Sequence, residues 1–382
     1  MLGIESGINR LMIKDKPLLL HVITSTDVGG AETMLLKLCK SIESKGIRNV
    51  VISLKPKGRI AFELEQAGIS VYSMEMNKGF SQFLKSVISL RRLLNQLEPT
   101  VIFSWMYHSN LITWFANFMR YRRAPLIWNI RQCLPSINEQ TTSTVVIMLS
   151  ALLSYFVPRI VYNSKLSIKH HTNVGFKSTN AKFIPNGFDT NRFSFNSIKR
   201  QELRTKYGLE DSFVVGIVGR YDPIKGHDLF VQSIAQSNLD NIKGMLVGRG
   251  LNNDSLNIRT ESQKSRFLII DESDQIEDYY CVFDVAVCCS ISEGFPNVVG
   301  EAMCCERPVI VTDVGDSAYL VGDNGIVIEP KSVEKLMTEI NTFLNMPQVQ
   351  RERIGSGLRS RIEMNFTIDH VSDLFISLAS EL

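Results

Sequence analysis

Residues 285–303 read Val285-Ala286-Val287-Cys288-Cys289-Ser290-Ile291-Ser292-Glu293-Gly294-Phe295-Pro296-Asn297-Val298-Val299-Gly300-Glu301-Ala302-Met303, a strand, a loop and a helix start in one stretch. Val285–Cys288 is an apolar run of the length a buried strand needs. Gly294 lets backbone approach a ligand closely, and Pro296 fixes the turn before the helix. A helix opening there aims unpaired backbone N–H groups and the positive end of its dipole into the loop. Strand, loop and helix in this order form the repeating unit of a parallel sheet covered by helices.

The same alternation extends outward from this stretch. Phe213–Val218, Gly244–Val247 and Phe267–Ile270 precede it as short apolar runs, and Val309–Val311 follows. The first half repeats the pattern from Leu18–Thr24, followed by a helix over Ala31–Ser44 with Met34, Leu35, Leu38 and Ile42 on one face. Val50–Leu54, Ser70–Met74, Val101–Ser104, Leu126–Asn129 and Arg159–Tyr162 continue the series. A loop-rich stretch over 185–196, with an Asn186-Gly187 turn, separates the two runs. At 382 residues the chain exceeds what one core usually serves. The expectation is therefore α/β, with two doubly wound parallel-sheet (Rossmann-like) domains facing across a cleft. They span 1–187 and 188–360, with a C-terminal helix in 361–382 returning to the first. Ligands in such sheets sit beyond the carboxyl ends of the strands.

A hydrophobic share of 44% and a charged share of 21% describe a globular chain. The seven cysteines are odd in number and lack metal-finger spacing, and two adjacent pairs lie in apolar runs. This fits a reduced, cytoplasmic setting. No leader with basic, apolar and small-residue order opens the sequence, so the sequon at Asn365 is expected to be unused. Val145–Phe156 is apolar but far shorter than the roughly 20 residues of a membrane span, which suggests a core or interfacial helix. The net charge of +3 conceals an asymmetry: residues 1–180 hold 22 Lys and Arg against 10 Asp and Glu, the rest 20 against 29. A basic first half fits an anionic membrane surface or a phosphate-bearing partner, as well as an ordinary solvated face. Nucleic acid is disfavoured, because no stacking-aromatic or recognition-helix pattern accompanies the charge. Arg120, Arg122 and Arg123 form the densest basic cluster, after Leu111–Met119. They fit either headgroup contact or the capping of a helix C-terminus.

Several strand-end loops carry chemistry. Glu301, early in its helix, can accept hydrogen bonds from vicinal ribose hydroxyls, and Glu293, in the loop, from a sugar ring; taken alone, the pair also fits a capping and a surface glutamate. Val218-Gly219-Arg220-Tyr221-Asp222-Pro223-Ile224-Lys225-Gly226-His227 places an arginine fork and a lysine point charge where a diphosphate could sit. Asp27-Val28-Gly29-Gly30-Ala31-Glu32 is not a dinucleotide fingerprint, but its paired glycines can admit a phosphate or sugar. No His, Asp and Glu grouping suggests a metal, and Asp284 lies in a strand pattern instead of an Asp-x-Asp loop.

Together these loops resemble the retaining GT-B glycosyltransferases of family four, which build bacterial lipopolysaccharide, O-antigen and capsule. The resemblance runs from Val22 to about Phe375. Its strongest marker is Glu293 and Glu301 with Glu-Gly-Phe-Pro-Asn between; Gly29–Glu32, Ile184–Asp189, Arg220 and Lys225 agree with it. It implies a nucleotide-sugar donor, a saccharide or lipid-linked acceptor at the inner face of a membrane, and no metal or other cofactor. Arg220 and Lys225 would neutralise the diphosphate, Glu301 would hold the ribose, and Glu293 would contact the sugar. The backbone of Gly294, Phe295, Pro296, Asn297, Val298 and Val299 would assist, with Gly29 and Gly30 closing over the phosphates. Family members carry a histidine where this chain reads Trp128-Asn129-Ile130-Arg131, so the acceptor-facing residue is Arg131 or, failing that, His108. Asp271 stands where a glycine is usual near the base. A nucleotide-sugar epimerase and a non-catalytic nucleotide-sugar-binding subunit are the alternatives. A phosphorylase lacks a candidate cofactor lysine, and a glycosidase would leave the donor loops unexplained.

Overall fold

A computed structural model describes residues 17–76, 79–134, 144–237 and 241–382; the N-terminal residues read for a leader lie outside these. The chain divides into two compact units, 1–187 with 368–382, and 188–367.

The first unit holds β1 (Leu18–Ile23), β2 (Arg48–Ser53), β3 (Ser70–Ser73), β4 (Val101–Trp105), β5 (Leu126–Ile130), β6 (Arg159–Tyr162) and β7 (Ala181–Phe183). They pair in the order β3-β2-β1-β4-β5-β6-β7, parallel throughout. Successive side chains of a strand point to opposite faces, so Leu19 and Ile23 of β1 join one core and Leu18, Leu20 and Val22 the other. Helices Gly30–Ser44, Arg59–Gln66 and Ile368–Ser380 cover the first face; Phe80–Leu97, Met106–Phe118 and Thr144–Leu153 cover the second. Burial on both faces explains why β1, β2, β4, β5 and β6 read as apolar runs.

The second unit holds β8 (Phe213–Val218), β9 (Ile242–Val247), β10 (Phe267–Ile270), β11 (Val285–Cys288), β12 (Val309–Thr312) and β13 (Ile326–Ile328), in the order β10-β9-β8-β11-β12-β13. Each sheet reverses its strand order once, between β1 and β4 and between β8 and β11. Those are the points where a doubly wound sheet opens a crevice for ligands. Strands β7 and β13 were not legible in the sequence. Each is a three-residue edge strand, partly exposed, and too short to leave a periodic signal.

The chain crosses back at Thr367–Ile368, later than residue 361. Helix Gln348–Asn365 stays with the second unit because its arginines cap carbonyls there: Arg361 Nε donates to Leu320 O (2.8 Å), and Arg359 Nη1 to Cys304 O. Ile368–Ser380 then lies along Gly30–Ser44. Ser41 Oγ donates to Asp369 Oδ1 (2.7 Å), Lys45 pairs with Asp373, and Phe375 stacks on Trp105.

One basic position differs from its expected setting. Arg120 does not join an exposed cluster: it is 7% exposed and donates to Asn95 Oδ1 (3.0 Å) and Asn117 Oδ1 (3.4 Å), while Arg122 and Arg123 stay outside. It ties the end of helix Met106–Phe118 to the neighbouring helix. The apolar 145–156 run forms helix Thr144–Leu153 and a 3-10 turn, Ser154–Phe156. No helix among the described residues is long and apolar enough to cross a membrane.

At the amino end of β11, Asp284 anchors the second unit. Its Oδ1 accepts from Arg200 (2.5 Å), and its Oδ2 from Arg204 (3.1 Å) and the Val214 amide (2.8 Å). Burial alone would raise its pKa, but the two guanidinium groups outweigh burial and hold it below the ordinary carboxylate value. The bound carboxylate thus adds stability above the unfolded-state pKa of about 4, lost as pH falls through the lower folded value. Asp284→Asn should lower the thermal midpoint of the second unit at pH 7, a loss of about 3 kcal/mol. It should also remove part of the acid-induced drop seen in wild type. Parallel wild-type and variant melting curves from neutral to acid pH would contradict this.

Candidate active site

The loop after β8 turns on Asp222, whose Oδ1 accepts from the Ile224 amide (3.1 Å) and Oδ2 from Arg220 Nη2 (3.0 Å). Asp222 is an N-cap for the turn Pro223–Lys225, and helix His227–Gln236 follows Gly226. Gly226 has φ +72°, and a Cβ there would lie 2.1 Å from Cys289 O, in the loop after β11. Only glycine allows that approach.

The approach brings the two loops' charges together. Lys225 Nζ donates to Glu293 Oε1 (2.6 Å), which also accepts from Ser290 Oγ (2.7 Å). Burial alone would lower the Lys225 pKa, but Glu293 more than offsets it and holds the ammonium above its ordinary value. Arg220 is the more exposed cation, its side chain 64% accessible, with Asp222 as its partner. The site therefore presents a lysine paired with Glu293, an exposed arginine paired with Asp222, and a carboxylate held in place by two donors.

The chain then runs into helix Asn297–Cys304, N-capped by Pro296. Gly294 O accepts from the Asp316 amide (2.9 Å), which pins the loop. Phe295 is buried against Phe188 and Phe366, so it contributes its backbone, not its ring, to the loop surface. Val299 is likewise buried, whereas Asn297 and Val298 are partly exposed at the helix start. Gly300 lies under the Phe188 ring, where a Cβ would come within 2.0 Å. Glu301, one turn in, accepts from Tyr280 Oη (2.9 Å). Arg192, paired with Glu277 (3.0 Å), also feels the Glu301 charge. Sequence reasoning missed Tyr280, Ser290 and Arg192. Tyr280 sits in Ile276–Val282, a short helix without any recognisable motif, and nothing in the sequence pairs it with Glu301.

The first unit has its own strand-end loops after β1, β4 and β5. Gly29, in extended backbone, N-caps helix Gly30–Ser44, and Glu32 folds its carboxylate over it; a Cβ on Gly30 would meet nothing within 4 Å. His108 is exposed in the first turn after β4, its pKa lowered by partial burial and by Lys55. Arg131 differs from its expected outward setting. It is buried, donates from Nη1 to Ile184 O (2.7 Å), and lies over the Trp105 and Phe375 rings. Burial drops its pKa to about 9. Its guanidinium is packed beneath the returning C-terminal helix, leaving His108 as the more accessible of the two. In the loop after β10, Asp271 Oδ1 caps the Glu272 amide (2.8 Å). Among the described residues no group of three or more His, Cys, Asp or Glu is placed to hold a metal ion.

Tyr280→Phe should cost the second unit about 1–2 kcal/mol, since it removes a buried hydroxyl from a charged acceptor. Chemical denaturation measures this; unchanged stability would mean that the Tyr280–Glu301 bond contributes nothing.

Comparison with known proteins identifies what the chain is similar to. The Glycosyltransferase Family 4 domain matches residues 28–192, and the Glycosyl transferases group 1 domain matches residues 212–346. A capsular polysaccharide biosynthesis glycosyltransferase of Staphylococcus aureus, CapM, is 26% identical over 310 residues, 74% of this chain and 77% of that one. A Campylobacter jejuni N-acetylgalactosaminyltransferase acting on a diphospho-undecaprenol-linked sugar is 22% identical over 353 residues, 86% of this chain and 90% of that one. Among solved structures, Anabaena HepE in complex with UDP superposes with a TM-score of 0.84 at 23% identity, covering 95% of this chain and all of that one.

Proposed function

From a chain that belongs to the family-four glycosyltransferases of the GT-B fold, we propose transfer of a sugar from a nucleotide-sugar donor, with retention of anomeric configuration and without a metal. The acceptor in this reading is a saccharide or lipid-linked saccharide. The setting is bacterial surface-polysaccharide synthesis at the cytoplasmic face of a membrane, where the protein is peripheral. The named activities of the CapM and Campylobacter relatives support this reading, as does the UDP bound to HepE.

The observation that carries it is the Lys225–Glu293 pair beside Arg220, at the switch point of the second sheet. A donor diphosphate entering there meets two cations and the start of helix Asn297–Cys304. Fixed cations and helix amides aimed at a departing diphosphate stabilise the charge that develops as the glycosidic bond breaks. Glu293 is the group suited to the hydroxyls of the transferred sugar, with its Oε1 already oriented by Lys225 and Ser290. Glu301, whose carboxylate accepts from Tyr280, is the group that would accept from ribose hydroxyls. His108 and Arg131 remain the candidates on the acceptor side, with accessibility favouring His108.

A thermal-shift screen of nucleotide sugars identifies the donor, because a ligand at 100 times its Kd adds about 2.7 kcal/mol of stability. Against that donor, Lys225→Ala should cost about 1.5–3 kcal/mol of binding, through loss of a charge-assisted contact. Glu301→Ala should weaken donor binding while leaving inorganic pyrophosphate affinity nearly unchanged. Calorimetric titration checks both; wild-type donor affinity in both variants would remove these residues from the site.

A further inference from the structure

Helix Thr144–Leu153 is apolar on both sides. Its inner face, with Ile147 and Ala151, is buried in the first unit's core. Its outer face carries Val145 (70% exposed), Met148 (65%) and Leu152 (63%), continued by Tyr155 (55%) and Phe156 (70%) in the following turn. The spacing 145, 148, 152, 155 is one helical stripe. A solvated helix would put polar residues there, and isolated exposed apolar residues are ordinary where a continuous row is not.

Ring contacts extend the row. Phe156 meets Trp114 (6.3 Å between centroids), and Trp114 stacks on Phe118 (5.0 Å). Phe118 is half exposed, beside exposed Met119 and a fully exposed Tyr121. Both ends of the strip carry cations. Arg123 lies over the Phe118 ring (4.2 Å), Lys177 over Tyr155 (5.8 Å), and Arg122 is exposed beside Arg123. Apolar and aromatic side chains in the middle with Lys and Arg at the rim match a surface that enters the headgroup layer and pairs with anionic lipid. A water-facing protein partner would need a complementary acidic rim, whereas an anionic bilayer supplies that charge everywhere.

We propose that the 145–156 stripe, with Trp114, Phe118 and the flanking Arg122, Arg123 and Lys177, is the surface by which the first unit docks on an anionic lipid bilayer. The docking rests on the reading of a membrane-bound acceptor for its purpose, but the surface itself is defined by the side chains above. It assigns the contact to an apolar face, with the arginines as its rim and Arg120 excluded.

The test uses the full chain and vesicles of phosphatidylcholine with or without phosphatidylglycerol. Wild type should sediment with the anionic vesicles, and less as salt rises. The triple change Met148→Gln, Leu152→Gln and Phe156→Ser should reduce partitioning about tenfold or more, with an unaltered melting curve because all three side chains face outward. Arg122→Gln with Arg123→Gln should weaken binding to anionic vesicles only. Equal sedimentation of wild type and the triple variant would overturn the proposal. So would a wild-type dimer that the triple variant abolishes while vesicle binding is absent, since a second copy would then cover the face. Transfer to a short-chain, detergent-soluble acceptor reports on the catalytic reading separately. Activity there without vesicle binding sinks only the docking surface, and vesicle binding without activity there sinks only the catalytic reading.

Discussion

Two strand-end loops of the second sheet must touch for this site to exist, and they touch at Gly226. With no side chain there, the β8 loop comes against Cys289 O, and Cys289 Sγ in turn reaches Gly226 O at 3.0 Å. Everything cationic in the site follows from that contact. Lys225, the residue before it, is carried to Glu293, and Arg220 is left at the outer rim of the same loop. A methyl group at Gly226 would separate the loops, and the lysine would lose the carboxylate that holds its pKa above the ordinary value. The topology supplies the other half of the constraint. Because the strand order reverses between β8 and β11, their loops open on a shared crevice instead of being screened by a crossing helix.

The second constraint is the packing that holds the acidic groups. Gly300 lets helix Asn297–Cys304 settle under Phe188, and the Phe188 amide donates a hydrogen bond to Phe366 O (2.8 Å) at the end of helix Gln348–Asn365. Glu301 therefore projects from a helix fixed at its inner face and is held at its tip by a buried tyrosine. Rigid placement of this kind lets hydrogen-bond donors and acceptors act without reorganising. At the opposite end of β11, the pairing of Asp284 with Arg200, Arg204 and the Val214 amide holds the amino ends of β8 and β11 in register.

The fold and the charged loops were legible because their signals are local. Doubly buried strands read as apolar runs, and loops that approach a ligand read as glycine, proline and isolated charges. What stayed hidden depends on partners distant in sequence. The direction of Arg131 is set by Ile184 and by Phe375 of the returning helix, neither of which its neighbours in the chain reveal. Arg120 reads as part of a surface cluster, yet Asn95 and Asn117 draw it inward. Tyr280 and Ser290 belong to the site through single hydrogen bonds that no spacing encodes. The apolar 145–156 run reads equally as a core or an interfacial helix, because periodicity cannot separate a buried apolar face from one turned outward.

In the proposed reaction, protein cations and helix amides, with no metal, stabilise the diphosphate leaving group while the sugar keeps its anomeric configuration. The most direct measurement is proton NMR of the reaction with its identified donor and acceptor in excess EDTA. The coupling at the anomeric proton of the first product formed, before any equilibration, reports its configuration. The expected result is transfer at the rate seen without chelator and a product whose anomeric configuration matches the donor's. Inverted product, or transfer that stops with EDTA and returns with added manganese, would contradict it.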